Sequence, residues 1–76
     1  MQTINAKYFI EIASKELTNR EIMELTDMNA MRLSRIKRGI VEKLDINTVA
    51  ALATGLKISI DELHHRAEIL RSTGVK

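Results

Sequence analysis

The chain reads as all-α, and three observations carry that expectation. It has no Pro and only three Gly among 76 residues, and it is rich in Leu, Ile, Ala, Met, Glu, Lys and Arg, the residue types that lose least on entering a helix. Helix-start and helix-stop signals recur along its length. The one alternating stretch, Leu56, Ile58 and Ile60 around Lys57 and Ser59, has no second strand to pair with, so it reads as a buried turn. Seventy-six residues make one domain, 1–76, near the lower limit at which a single core suffices. With no Cys, neither disulfides nor thiolate metal sites can help, which is compatible with a reducing cytoplasm. The first sixteen residues contain Lys7 and Glu11 and lack the continuous apolar region of a signal peptide, and no run reaches bilayer-spanning length. A cytoplasmic protein with no membrane partner is the expectation.

Taken in order, residues 4–15 form a first helix with Tyr8, Phe9, Ile12 and Ala13 inward and Lys7, Glu11 and Lys15 outward. The two aromatics serve as core filler rather than as platforms for stacked bases, which use several exposed rings. Thr18 and Glu21 stand at the spacing of a capping box, in which hydroxyl and carboxylate satisfy free amides reciprocally, so a second helix begins near Asn19. Ile22, Met23 and Leu25 share its apolar side, leaving Arg20, Glu21 and Glu24 to water. Asp27 tolerates a left-handed backbone and turns the chain across 26–28, and Asn29 caps a third helix over 30–38. There Leu33 and Ile36, with Met28 just ahead, face the core. The opposite side, Ala30, Met31, Arg32, Ser34, Arg35, Lys37 and Arg38, is too basic to bury, and Gly39 stops the helix. A connection over 40–44 follows, in which Lys43 can meet a phosphate. Asp45 caps the fourth helix, Ile46, Val49, Ala50, Leu52 and Ala53 make its apolar side, and Gly55 ends it. A second capping box, Ser59 with Glu62, opens a fifth helix over 60–70, and the tail 71–76 frays.

Charge is distributed unevenly. The formal net charge is only +2, yet between residues 32 and 43 five cations (Arg32, Arg35, Lys37, Arg38, Lys43) face one anion, Glu42. A local cationic face on a near-neutral protein can track phosphates. Two short helices at a steep angle, the second basic and exposed, make a helix-turn-helix over 18–39.

These residues resemble the Cro/CI-type, lambda-repressor-like helix-turn-helix family. Thr18, Ile22, Thr26, Met28, Leu33, Ser34, Arg35, Ile36 and Gly39 match its motif, the last five within LSRIKRG, and LDINTVAALATGLKISIDEL resembles its fourth helix, turn and fifth helix. The resemblance covers roughly residues 17–63. It implies a compact five-helix DNA-binding domain and a dimer on a two-fold operator in double-stranded DNA. The chain departs from the family at Asn19, Met23, Asp27 and Lys37, where Gln, Ala, Gly and Glu are usual. Ala30 and Met31 stand where members often place base-reading polar residues.

Under that reading Asn19, Lys37, Arg38 and Lys43, with backbone amides at helix starts such as the one Asn29 caps, hold phosphates. Arg32 and Arg35 are the candidates for guanine edges, with Ser34 and Met31 able to touch base edges or a thymine methyl. Leu63, Ala67 and Leu70 either mediate self-association or cover the monomer's own core. A second reading makes the chain a protein-binding modulator, an antirepressor or antitoxin-like component that grips another regulator such as a repressor. Ala30 and Met31, small and soft at the exposed front of the third helix, motivate it. Neither His64 nor His65 belongs to a metal-ligand pattern such as H-E-x-x-H, and no Ser has a nucleophile-elbow context, so no metal, no cofactor and no enzymatic activity are expected.

Overall fold

In the computed structural model, which describes residues 4–40 and 42–73, five helices follow one another: α1 (Ala6–Ser14), α2 (Asn19–Thr26), α3 (Ala30–Lys37), α4 (Ile46–Leu56) and α5 (Ile60–Thr73). There is no strand among the described residues. The extents are 28 × 26 × 22 Å. Helix α1 lies across the middle, against α3 and α5, while α4 packs on α2 and α5.

The local signals explain most boundaries. Glu21 N–H donates to Thr18 Oγ1 (3.1 Å) and Thr18 N–H to Glu21 Oε1 (2.8 Å), the complete capping box at the start of α2. Asp27 ends α2 in the left-handed region, φ 59°. Asn29 Oδ1 accepts from Arg32 N–H (2.7 Å) and opens α3, and Asp45 Oδ1 accepts from Thr48 N–H (2.9 Å) and opens α4. Gly39, φ +94°, closes α3: its N–H donates to Ile36 O and Ile40 N–H to Arg35 O, a left-handed turn that satisfies two end carbonyls.

Several boundaries differ from expectation. Helix α1 is shorter than 4–15 and is capped by Asn5, whose side chain accepts from Lys7 N–H. Helix α4 runs through Gly55 and stops at Lys57, φ 62°, where Lys57 N–H donates to Thr54 O and Ile58 N–H to Ala53 O. Gly55 serves packing instead: a Cβ there would stand 2.4 Å from Leu25 Cδ1, so the missing side chain lets Leu25 of α2 lie over α4. Of the second capping box only half forms. Ser59 Oγ accepts from Glu62 N–H (3.0 Å), but the Glu62 carboxylate accepts from Arg66 one turn on. Helix α5 continues to Thr73, so residues 71–73 are helical rather than frayed; residues 74–76 of the expected tail, like Val41 in the expected connection, lie outside the described residues.

One core joins all five helices, with Ile10, Ile22, Ile36, Leu52 and Leu63 its largest fully buried side chains. Ile10 and Ala6 are buried although the spacing argument placed only Tyr8, Phe9, Ile12 and Ala13 inward; Tyr8 is half-buried, with Lys7 Nζ 5.5 Å from its ring centre. Ile46, expected in the core, is 61% exposed. It is the first residue of α4 and its side chain leans back toward the helix start, off the end of the packed layer.

Candidate nucleic-acid interface

The position of α3 is set from behind. Leu33 (3% exposed) and Ile36 (0%) anchor it in the core, and Met28 closes the turn beneath its first residues. The remaining side chains then fall into a front and two flanks. Met31, Ser34, Arg35 and Arg38 recur at spacings of three and four and share the outer face, all exposed.

On the flank toward α2, Lys37 Nζ donates to Asn19 Oδ1, so two of the candidate phosphate-holding residues form one hydrogen-bonded pair. Between these helices lies a groove of about 260 Å³ lined by Asn19, Met23, Ala30, Leu33, Ser34, Lys37 and Arg38. Met23, which lines this groove, packs half-buried against the core.

On the other flank, Arg32, a candidate for a guanine edge, is paired with an acid. Its Nε donates to Oε2 of Glu42, ten residues on, and one terminal nitrogen lies in ion-pair contact with the same oxygen. Glu42 is itself fastened: its N–H donates to Asn5 Oδ1 (3.2 Å), and its carbonyl accepts from Ala6 N–H (2.7 Å). The charge of Arg32 also reaches Asp45, whose carboxyl sits below its usual range chiefly through hydrogen bonding to Thr48 and secondarily through Arg32.

Six of the ten sequence-derived candidates, Ala30, Met31, Arg32, Ser34, Arg35 and Lys37, therefore stand on one helix, which ends at Lys37 rather than Arg38, with Arg38 as its C-cap, Asn29 capping its start and Asn19 tied to its edge. Lys43 is exposed one residue past Glu42 and borders a different hollow of about 610 Å³, shared with Ile46, Phe9 and His64, rather than the groove between α2 and α3. In that hollow the His64 ring meets Phe9 edge-on, centroids 5.3 Å apart. Two residues of consequence escaped the sequence reading. Glu42 registered only as the lone acid in a basic run and Asn5 not at all, since a pairing across ten or thirty-seven positions leaves no local spacing to read.

Leu63 and Ala67 are fully buried in the chain's own core, which removes them from the residues that could mediate self-association; of the three, Leu70 alone is half-buried. Among the described residues no helix is long and apolar enough to cross a membrane, and no three His, Cys, Asp or Glu side chains gather where they could hold a metal ion. Comparison with protein-family models, with curated proteins and with solved structures finds no match to this chain.

Proposed function

We propose that this chain is a small sequence-specific DNA-binding regulator of transcription, of the lambda-repressor-like helix-turn-helix kind, which lays α3 in the major groove of an operator. The observation that carries the reading is the front of α3. Arg35 and Arg38 are exposed there and, among the described residues, have no ion-pair partner. They stand beside Ser34 and Met31 on a helix fixed by Leu33 and Ile36. Arg35 reads a guanine edge through its paired donors, while Arg38 and the Lys37 and Asn19 pair meet phosphates at either side. A single front of this length discriminates weakly, so two copies bind a two-fold site.

Titration of a duplex pool carrying the chain's own upstream region tests this. Arg35→Ala is expected to relax preference at one base pair, and Arg38→Ala to weaken all duplexes alike and lower the salt slope by about one. Unchanged affinity in both variants removes α3 from the interface.

A second reading keeps the fold but gives α3 a protein partner, and Met31 is its motivation. At 71% exposure it is the most exposed large apolar side chain of the described residues, on the outer face of α3. A flexible thioether there suits a protein surface as well as a thymine methyl. Tight binding to a co-encoded regulator, with only weak and sequence-indifferent DNA affinity, would favour this reading.

A further inference from the structure

Arg32 meets Glu42 side-on. Nε and one hydrogen of a terminal nitrogen converge on the single oxygen Oε2, so the guanidinium spends one of its edges. A guanidinium has five N–H donors in a planar fork. Its outer edge, formed by the second terminal nitrogen and the remaining hydrogen of the first, has no partner among the described residues, and the side chain is 42% exposed.

The carboxylate that holds it stands on a rigid post. Glu42 is bonded through its N–H to Asn5 Oδ1 and through its carbonyl to Ala6 N–H, so its backbone cannot shift without undoing the start of α1. Its own side chain is only 24% exposed. Arg32 is fixed at its other end as well, because it is the third residue of α3 and its N–H is the one that Asn29 caps. In a helix that enters the major groove, the first turn is the part that reaches base edges.

We infer that Glu42 determines sequence specificity through Arg32, holding the guanidinium by one edge so that the other edge reads a guanine beside the base pair met by Arg35. The inference rests on the DNA-binding reading above and adds to it a positioning residue outside the helix-turn-helix. An unheld arginine on a helix flank spends rotamer freedom when it docks and meets phosphate as readily as base. Held by a carboxylate whose backbone is anchored, it has lost part of that freedom before binding, and it favours the planar two-acceptor edge of guanine, O6 and N7, over a point charge.

Selection from a randomised duplex pool by the wild-type chain, followed by competition binding of Glu42→Gln, Arg32→Ala and the double variant, tests this, with thermal unfolding recorded for each. The expected result is that Glu42→Gln loses preference for guanine at one position by about tenfold while the other positions and the fold are kept. Its affinity for random duplex holds or rises, because an anion has been removed near the phosphates. Arg32→Ala loses the same position, and the double variant loses no more than Arg32→Ala alone. Two results overturn the inference while leaving the DNA reading intact: Glu42→Gln binding selected and random duplex more tightly by the same factor, or keeping the wild-type preference at every position. A wild-type pool with no enriched sequence overturns both together.

Discussion

Helices α3 and α5 both carry cations on their outer sides, and they use them differently. In α5 each arginine has an acid within one turn. Arg66 Nε donates to Glu62 Oε2 (2.8 Å) and Arg71 Nε to Glu68 Oε1 (2.7 Å). Both carboxyls are held below their usual range, chiefly by those hydrogen bonds and then by the arginine charges. Helix α3, AMRLSRIK, contains no acid at all. Its cations can be answered only from other elements, as Arg32 is by Glu42 and Lys37 by Asn19, and Arg35 has no such answer among the described residues. A cationic helix whose acids lie three or four residues away is a solvated, self-neutralised surface. One without them keeps its charge for whatever it meets.

The contrast can be broken first at the core, where the largest effects lie. Ile36 of α3 and Leu63 of α5 are both fully buried, so Ile36→Ala and Leu63→Ala should each cost about 2–5 kcal/mol in urea unfolding. A clearly smaller loss for Ile36→Ala would mean that α3 hangs on its caps and flank contacts rather than on the core. Next comes binding: Arg35→Ala should remove about 1–3 kcal/mol of discrimination at one base pair, whereas Arg66→Ala should leave DNA affinity unchanged. Equal losses from the two would erase the distinction between the helices. Smaller still, Asn29→Ala should destabilise the fold by about 1 kcal/mol, read by thermal unfolding, through loss of the bond to Arg32 N–H. The slightest effect is one of pH. Because Glu62 and Glu68 titrate below their usual range in the folded chain, their contribution is present at neutral pH and fades as pH falls through that lowered range. Glu62→Gln should therefore flatten the acid limb of the stability profile slightly, and leave it unchanged near neutrality only if the Arg66 pair contributes nothing there.

The elements of the fold were legible because their signals are local. Thr18 with Glu21, Asn29 and Asp45 act within three residues of themselves, and Gly39 needs no neighbour to adopt φ +94°. Gly55 misled for the opposite reason. Glycine serves equally to end a helix and to admit a close neighbour, and only the position of Leu25 over α4 selects between these uses. Ile46 was misplaced, and Ile10 left unplaced, because helical spacing gives a direction and not the extent of the layer that covers it. For the candidate site, the helix and its basic character were evident, and the partition of its side chains was not.

Residue order alone determined that the chain is helical, where its second, third and fourth helices start, and that positive charge collects on the third while acids accompany the arginines of the fifth. These follow from interactions spanning a turn or less, whose energies do not depend on what the rest of the chain does. Tertiary structure decided which cations of α3 remain at liberty. Asn19, Glu42 and Asn5 come from three separate stretches, and only burial of Leu33, Ile36 and the core around α1 brings them to the flanks of one helix.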